Sequence, residues 1–280
     1  MESSLAERAA ALDAREAKLA EMEEAVEAKL SVLRRGPVPS VYAKRTIIVD
    51  VHSGEPLYEK NADELCAVAS TQKLLTALLV IENCDLDEAI TVEREDADVA
   101  PTRVGIKPGE TYTRRQLLTS LLVRSGNDIA VCLARTTAGS VEAFVEMMNA
   151  RAAQLGMANS HFKNPHGLTE EGQHSTARDM ALLARVAYAN PIIHEIVQIE
   201  EYDFKFNDGS VRELFNTNKV LKSYEPCNGM KTGYTVASGN CLVSSGQVGD
   251  REIIAVVLGS TSSWVWRDSE ALLDWALKDV

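Results

Sequence analysis

Long hydrophobic runs, an excess of positive charge and dense cysteine are all missing from this chain of 280 residues. No stretch of roughly 18 apolar residues occurs, and the N-terminus is charged where a signal peptide carries an apolar core. The sequence therefore predicts neither a membrane span nor an export signal. With 29 Lys and Arg against 41 Asp and Glu, the net charge is -12. This argues against nucleic acid as a partner, because phosphate-binding surfaces are basic.

Cysteine is sparse: five residues are scattered along the chain, too few for a disulfide scaffold. They include no Cys-x-x-Cys pair of the kind that binds zinc or carries redox chemistry, and no metal or cofactor is expected. Because the number is odd, at least one cysteine is unpaired within the chain. Cys84 and Cys132 lie in apolar helical patterns, which favours an interpretation as small buried hydrophobic residues.

The N-terminal segment, residues 1–36, carries the pattern of one long charged helix. Ser4 and Glu7 form a capping box at its start, and Gly36 followed by Pro37 marks its end. An apolar residue recurs at every seventh position, which keeps a stripe on one face: Leu5, Leu12, Leu19, Val26 and Leu33. The second seam of a coiled coil is mostly polar. Three interpretations stay open: a coiled coil or spacer, packing on the following domain, and a solvated helix.

Residues 37–280 form the second predicted unit, with the composition of a globular domain. Hydrophobic residues make up 45% and charged residues 25% of the chain, which supports a sizeable core. Strands are expected at both ends of this unit: 46–51, 56–60, 229–235, 240–245 and 252–259. Helices are expected between and after them: 70–84, 114–124, 127–137, 140–155, 175–190 and 266–278. This order predicts one sheet, completed by distant segments around a helical insertion.

Common catalytic signatures are missing as well. The sequence has no Gly-x-Ser-x-Gly elbow, no His-Glu-x-x-His pair and no glycine-rich phosphate loop, and none of its five histidines lies in a triad motif. A serine enzyme without a histidine base needs another base, and lysine is the candidate. Ser70 and Lys73 open an apolar helix, where a spacing of three residues puts both side chains on one face. Burial beside another cation can lower the pKa of a lysine by several units, which makes it a usable base.

Two other short motifs complete the candidate set. The segment Ser125-Gly-Asn127 lies between two helical patterns, where the glycine permits a sharp turn that exposes both polar side chains. The segment Lys231-Thr-Gly233 lies on a strand, and glycine within a strand often marks a place where another backbone approaches closely. Both motifs are short, and their order along the chain carries more information than either alone.

Two decoys repeat parts of these motifs. Ser160 and Lys163 have the same spacing as the first pair, but they precede an Asn-Pro-His-Gly segment that breaks helical structure. Residues 238–240 repeat Ser-Gly-Asn between two expected strands, where the pattern predicts a hairpin turn. Neither decoy is predicted to be a site.

The three motifs occur in the order Ser-x-x-Lys, Ser-x-Asn and Lys-Thr-Gly, the set that marks penicillin-binding proteins and class A β-lactamases. From about residue 40 to 280, the chain resembles the low-molecular-mass penicillin-binding proteins, the serine D-alanyl-D-alanine carboxypeptidases. Three connecting segments also resemble that family: residues 160–168, 175–180 and 239–243. A β-lactamase is disfavoured, because no Glu-x-x-Leu-Asn loop between the second and third motifs supplies a deacylating glutamate.

The resemblance implies a β-lactamase/transpeptidase-like α/β (α+β) fold. An antiparallel sheet of about five strands would be flanked by helices and carry a helical subdomain, with the catalytic domain at residues 37–280. The N-terminal extended helix, residues 1–36, is a feature that common family members lack. Because the family is exported and anchored at the membrane, an extracytoplasmic location is expected, although the sequence itself shows no signal or anchor.

The family's catalytic roles carry over to four matching residues. Ser70 would be the nucleophile that attacks the carbonyl between two D-alanines, with Lys73 as its general base. Ser125 would relay a proton to the leaving amine, and Asn127 would bind the substrate amide and orient the lysine. Three residues of one loop are expected to be structural: Asn164, His166 and Gly167.

Further positions are expected to bind substrate. Lys231 would keep the site electropositive, Thr232 would bind the terminal carboxylate, and Gly233 would let the strand align with the peptide. The backbone N–H groups of the nucleophilic serine and of Tyr234 would form the oxyanion hole, at about 3 kcal/mol per donor. Arg267 resembles a family arginine near the substrate carboxylate, and a surface salt bridge is the other interpretation.

The activity implied by the resemblance is removal of the terminal D-alanine from peptidoglycan stem peptides through an acyl-enzyme. The implied partners are a peptidoglycan pentapeptide and β-lactam antibiotics, with self-association through the N-terminal helix as a further expectation. Two alternatives stay open: a DD-endopeptidase that cuts cross-links, and a catalytically weak cell-wall binding or scaffold protein that keeps the fold.

Overall fold

The structure is a computed structural model that describes residues 10–20, 22–23, 26, 30 and 35–278. Helix α1 covers residues 10–20, and its described residues are all exposed. Three members of the seven-residue stripe are therefore turned to solvent in the single chain: Leu12, Leu19 and Val26. The other two, Leu5 and Leu33, lie outside the described residues.

A five-stranded antiparallel sheet forms the centre of the domain, in the order β2-β1-β9-β8-β7. Its strands, in chain order, are β1 (Arg45–Asp50), β2 (Pro56–Lys60), β7 (Cys227–Thr235), β8 (Gly239–Val248) and β9 (Arg251–Ser260). Two small hairpins lie outside it, one from β3 (Ala89–Thr91) and β4 (Thr111–Thr113), the other from β5 (Glu201–Lys205) and β6 (Val211–Phe215). Since β7 is an edge strand, one side of its backbone is free of sheet partners.

Of the described helices, α1 precedes the sheet, the final one follows it, and the others fall between β2 and β7. A 3-10 turn (Ala69–Gln72) precedes α2 (Lys73–Asn83). The other helices are α3 (Arg94–Ala97), α4 (Arg114–Arg124), α5 (Asn127–Ala138), α6 (Val141–Gln154), α7 (Ala177–Ala189), α8 (Pro191–Val197), α9 (Val220–Ser223) and α10 (Trp264–Leu277). Among the described residues, no helix is both long and apolar enough to cross a bilayer.

Strand β9 is apolar on both faces because helices cover both sides of the sheet. Ile254 and Val256 pack in the larger core together with Leu183 of α7. The alternate residue Ala255 packs in a second core with Leu272 of α10. Alternate side chains of a strand point to opposite faces, so an uninterrupted apolar run indicates burial on both.

Helix α10 is tied to the start of the sheet by one buried carboxylate. Asp268 accepts hydrogen bonds from the backbone N–H of Tyr42 at 3.0 Å and of Ala43 at 2.8 Å, and from the Ser260 hydroxyl at 3.2 Å. Buried carboxylates need such donors, because leaving them unpaired costs several kcal/mol. The contact joins the two ends of the domain.

The expected fold class is confirmed: a mixed fold with a five-stranded antiparallel sheet and a helical insertion. The largest local difference is at residue 70, where a helix was expected to begin. The chain forms a 3-10 turn there, whose first residue Ala69 is left-handed with φ of 49°, and the α-helix begins at Lys73. Both small hairpins and the short helices α3, α8 and α9 were not predicted.

Candidate active site

The fold brings the three motifs together at the edge of β7. Ser70 lies on the 3-10 turn, Ser125 at the end of α4, and Gly233 within β7. All three line one cavity of about 420 Å³, together with the exposed Tyr234. A larger cleft of about 990 Å³ lies elsewhere, and none of the motif residues is among those that line it.

Ser70 and Lys73 are in direct contact. The Lys73 ammonium nitrogen, Nζ, lies 2.8 Å from the Ser70 hydroxyl oxygen. Nζ also donates to the side-chain oxygen of Asn127 at 2.8 Å and to the backbone carbonyl of His166 at 2.7 Å. A neutral amine has two N–H donors and one lone pair, so a neutral Lys73 that donates to these two acceptors keeps its lone pair available for the serine hydroxyl.

Burial lowers the pKa of Lys73 well below its usual 10.5, and the nearby Lys231 lowers it further, while Asp128 acts in the opposite direction. The side chain is 0% exposed, so the charged form loses its hydration. Burial also lowers the pKa of Lys231 to about 7. Two buried amines with lowered pKa values share this site, which is the condition for one of them to act as a base.

The turn between α4 and α5 presents the second motif. Ser125 ends α4 in the left-handed conformation, with φ of 70°. Asn127 begins α5, and its backbone N–H donates to the Thr102 carbonyl at 2.8 Å. A side chain at Gly126 would place its Cβ only 2.7 Å from the Asp128 carboxylate, so the position excludes larger residues. The tight turn directs Asn127 at the lysine and Ser125 into the cavity.

The third motif brings β7 against the nucleophile. A Cβ on Gly233 would lie 2.8 Å from the backbone nitrogen of Ser70, which only glycine avoids. Lys231 is buried, and its Nζ donates to the Thr232 carbonyl at 3.2 Å. The Thr232 hydroxyl donates to the hydroxyl of Thr217 at 2.6 Å. The close approach explains why glycine occurs within this strand.

The loop that was expected to be structural also contributes to the site. The Asn164 side chain accepts from the Gly167 backbone N–H at 2.8 Å, while its carbonyl accepts from Gln72 at 2.6 Å. A Cβ on Gly167 would lie 2.1 Å from the Ala69 carbonyl oxygen. The loop is therefore clamped against the 3-10 turn. This position lets the His166 carbonyl reach both the lysine amine and the serine hydroxyl, the latter at 3.2 Å.

His166 is not a base at this site. Burial, with the nearby Lys73 as a smaller cause, lowers the pKa of the imidazole to about 4. The ring nitrogen Nδ1 accepts from the Leu168 backbone N–H at 3.2 Å. The ring stabilises the loop, and the main chain of the same residue faces the site.

The Arg267 side chain packs against an aromatic ring at the start of α10. Its guanidinium lies 5.4 Å from the centre of the Trp264 ring, and the side chain is exposed. Arg267 is not among the described residues that line the cavity, whereas its neighbour Trp266 is. The expected salt bridge is also not seen for this side chain in the described part of the chain.

The two decoys have other partners. The Ser160 hydroxyl donates to Asp179 at 2.7 Å, and Lys163 is exposed. Ser238 closes the β7–β8 turn, accepting from the backbone N–H of Thr235 at 2.9 Å. Neither decoy serine has a lysine partner within the described residues.

Several contributors to the site were not predicted. The carbonyl of His166 is a main-chain group that no residue pattern reveals. Three more side chains line or support the site: Gln72, Thr217 and Arg124. The sequence gives a signal for two of them only, because Gln72 lies within the first motif and Arg124 directly precedes the second. Thr217 lies 14 residues before the third motif and has no such signal.

Comparison with known proteins gives relatives over most of the chain. A family described as D-alanyl-D-alanine carboxypeptidase matches residues 33–262. The chain is 36% identical to D-alanyl-D-alanine carboxypeptidase DacF of Bacillus subtilis over 79% of its own length and 58% of the relative. It is 37% identical to DacC of Escherichia coli, over 86% of the chain and 62% of the relative. The chain thus spans about three fifths of the length of these two relatives.

Two solved structures have a fold similar to that of this chain. A Streptomyces DD-transpeptidase superimposes with a TM-score of 0.82 at 30% identity, covering 86% of this chain and 98% of that one. A D-alanyl-D-alanine carboxypeptidase of Mycobacterium tuberculosis superimposes with a TM-score of 0.80 at 33% identity, covering 85% and 92%. With a family match over more than half of its length and the three motifs assembled around one cavity, the chain belongs to the D-alanyl-D-alanine carboxypeptidase family.

Proposed function

We propose that this chain is a serine D-alanyl-D-alanine carboxypeptidase that removes the terminal D-alanine from peptidoglycan stem peptides. The observation that carries the proposal is the 2.8 Å contact between Ser70 and a fully buried Lys73, at a cavity bordered by the edge of β7. A serine in contact with an amine whose pKa is lowered by burial is an activated nucleophile. The names of the relatives support the choice of substrate.

Acylation begins with proton transfer. Neutral Lys73 takes the proton of the Ser70 hydroxyl as the oxygen attacks the carbonyl between the two D-alanines, forming a C–O bond. The tetrahedral intermediate then collapses: the proton taken up by Lys73 passes through the Ser125 hydroxyl to the leaving nitrogen, the C–N bond breaks, and D-alanine leaves. The product is an ester on Ser70. Water hydrolyses this ester and restores the serine and the neutral lysine.

The free edge of β7 suits an extended peptide. An extended chain adds to an exposed sheet edge through main-chain hydrogen bonds. Tyr234 lines the cavity next to Gly233, whose missing side chain leaves room between the strand and Ser70. The backbone N–H groups of Ser70 and Tyr234 are the proposed oxyanion donors.

The remaining roles follow the same geometry. Lys231, when protonated, supplies positive charge beneath the cavity, and Thr232 offers its hydroxyl to the terminal carboxylate. Asn127 holds the amine of Lys73 in place, as its 2.8 Å hydrogen bond supports. β-Lactam antibiotics present a strained carbonyl to the same nucleophile and would acylate Ser70.

Location and assembly are part of the proposal. Because stem peptides of peptidoglycan lie outside the cytoplasmic membrane, the enzyme is proposed to act there, in the periplasm or cell envelope. Self-association through residues 1–36 is proposed from the stripe of apolar side chains. Its described members Leu12, Leu19 and Val26 are exposed in the single chain.

Release of D-alanine from a stem pentapeptide tests the activity. The wild-type protein is expected to release one D-alanine per peptide, whereas Ser70→Ala is expected to release none. Ser160→Ala is the matched control, because this serine has the same sequence spacing to a lysine but hydrogen-bonds to Asp179. Retained turnover in Ser70→Ala would overturn the proposal. Activity on cross-linked peptides but not on the pentapeptide would favour the endopeptidase alternative.

A further inference from the structure

The carboxylate of Asp128 is buried one residue after the second motif. Asp128 is 0% exposed and lies in the first turn of α5. Its two oxygens accept three backbone N–H groups, those of Val104 at 3.0 Å, Gly105 at 2.7 Å and Ile129 at 3.0 Å. Because burial of a carboxylate is costly unless it is hydrogen-bonded, these contacts hold the side chain in one place.

Two of these donors belong to a loop at the cavity, residues 101–106, which contains neither helix nor strand. Pro101 and Thr102 of this loop line the cavity. The carbonyl of Thr102 accepts from the backbone N–H of Asn127 at 2.8 Å. Two successive residues of α5, Asn127 and Asp128, therefore fasten the loop to the turn of the second motif.

The charge of Asp128 also acts on Lys73. Burial lowers the pKa of this lysine and Lys231 lowers it further, whereas Asp128 raises it. A negative charge nearby stabilises the ammonium relative to the neutral amine. During acylation Lys73 becomes an ammonium as it takes the serine proton. The same charge therefore favours the transition state and makes the amine a stronger base.

The other groups that face this pair are neutral or cationic. The amine of Lys73 contacts three uncharged groups: the Ser70 hydroxyl, the Asn127 side chain and the His166 carbonyl. Burial lowers the pKa of the His166 imidazole to about 4, so the ring is neutral at working pH. Two cations lie nearby: Lys231, whose pKa is about 7, and Arg212 of β6, which donates to a carbonyl of the loop.

We propose that Asp128 is a positioning residue for acylation: its carboxylate fixes the loop 101–106 against the turn that carries Ser125 and Asn127, and its charge stabilises the ammonium that forms on Lys73. The residue touches neither substrate nor the reacting atoms and acts through its neighbours. The inference rests on the proposed function and adds a residue to the machinery of the same site.

The test measures the rate of acylation by a β-lactam between pH 5 and pH 11 for the wild type, Asp128→Asn and Asp128→Glu. Asp128→Asn keeps the size of the side chain, but it removes the charge and one acceptor for the loop. The midpoint of the rise in rate is expected to move to lower pH, because the ammonium of Lys73 loses stabilisation. The plateau is expected to fall about 10-fold, because small displacements in an active site are costly.

Two further variants separate charge from geometry. Asp128→Glu keeps the charge but shifts the carboxylate, so the plateau is expected to fall while the midpoint moves less than in Asp128→Asn. Asp96→Asn is the matched control, because Asp96 is also 0% exposed but pairs with Arg135 at 2.7 Å. It is expected to keep the wild-type midpoint and a plateau within about twofold. Circular dichroism shows whether each variant is folded.

A wild-type midpoint or an undiminished plateau in folded Asp128→Asn would overturn the inference, as would an equal shift of the midpoint in Asp96→Asn. Loss of the fold in both Asp128 variants would assign the residue to stability alone and would overturn it as well. If the β-lactam does not acylate the wild type, the proposed function itself fails. A wild-type rate that rises with pH, together with an unchanged profile in Asp128→Asn, contradicts only this inference.

Discussion

Lys73 illustrates how position changes the chemistry of an ordinary side chain. An exposed lysine is protonated at neutral pH and cannot accept a proton from serine. Here burial and the neighbouring Lys231 lower the pKa of the amine, and Asn127 and the His166 carbonyl hold it 2.8 Å from the Ser70 oxygen. Protonation of the amine removes the base, so acylation depends on the pH range in which Lys73 is neutral.

The rate of acylation by a β-lactam is therefore expected to rise with pH and reach a plateau well below pH 10.5, the usual pKa of lysine. Lys73→Ala is expected to lower the rate by about 10³-fold, since loss of a general base costs between two and four orders of magnitude. Stopped-flow measurement of acylation between pH 5 and pH 11 gives the profile. A rate that keeps climbing through pH 10, or full activity in Lys73→Ala, would contradict this role.

The buried amine of Lys231 is expected to lower the free energy of unfolding at low pH. Its pKa is about 7 in the folded chain and the ordinary value is 10.5, so the unfolded state binds more protons between these limits. Stability therefore rises with pH across that window, and the cost is fully present below pH 7. Lys231→Met is expected to raise the free energy of unfolding by about 1 to 3 kcal/mol at pH 6, because it removes a buried amine.

The gain from Lys231→Met is expected to shrink towards pH 10, where the wild-type amine is already neutral in the folded state. Urea unfolding at pH 6 and pH 10 measures both values. Lys163→Met is the control, because Lys163 is exposed and its substitution removes no buried amine. A gain that is equal at both pH values would show that the titration of Lys231 does not contribute.

At the scale of single elements, the contact between β7 and the 3-10 turn shapes the site. Gly233 lies so close to the turn that a Cβ would be 2.8 Å from the nitrogen of Ser70 and 2.9 Å from the Cβ of Ala69. The neighbouring atoms are mostly main chain, which cannot move aside cheaply. A larger residue must push the strand away from the nucleophile.

Gly233→Ala is expected to slow acylation by about 10- to 100-fold, because a displacement of about 1 Å in an active site costs up to two orders of magnitude. Val236→Ala, on the same hairpin but 93% exposed, is the control and is expected to leave the rate unchanged. Labelling by a fluorescent penicillin follows the rate in both variants. Equal rates in Gly233→Ala and wild type would show that the strand is not held against the turn.

The elements with long apolar patterns were predictable, and the small ones were not. The expected helix at 114–124 coincides with α4, and the expected strand at 252–259 lies within β9. Strands β3 and β4 have three residues each, too few for an alternating pattern. Strands β5 and β6 each bury one residue, Phe204 and Leu214, so the sequence there resembles polar loop.

In the site as well, some groups were predictable from the sequence and others were not. The three motifs led to Ser70, Lys73 and Asn127, because their chemistry depends on side chains that the sequence names. The carbonyl of His166 was missed, since every residue has one and only the fold decides which carbonyl reaches the amine. Thr217 was missed because its contacts, from its backbone N–H to the Val123 carbonyl and from its hydroxyl to Thr232, join distant segments.

At the scale of the whole molecule, the N-terminal segment is expected to be separable from catalysis. The catalytic motifs all follow residue 69, and the described residues of α1 are exposed. The junction does contact the domain: Trp275 of α10 donates to the Gly36 carbonyl at 3.2 Å, and the Arg35 guanidinium lies 5.9 Å from the Trp275 ring centre. A truncation that tests the helix alone should therefore keep Arg35 and Gly36.

Deletion of residues 1–34 is expected to leave the rate of β-lactam acylation within about twofold of the full chain. If the apolar stripe mediates self-association, the mass measured by light scattering is expected to fall from an oligomer to a monomer on deletion. Circular dichroism serves as the control for folding. Loss of acylation in a truncated protein that is still folded would show that the N-terminal segment helps to form the site.

The central claim is that Ser70 is the nucleophile of an acyl-transfer site, and mass spectrometry after treatment with penicillin tests it most directly. The account predicts a gain of one penicillin mass in the intact protein, located by digestion on the peptide that contains Ser70, and no gain in Ser70→Ala. An adduct on a peptide that contains Ser125 or Ser160 instead, or labelling that persists in Ser70→Ala, would contradict it.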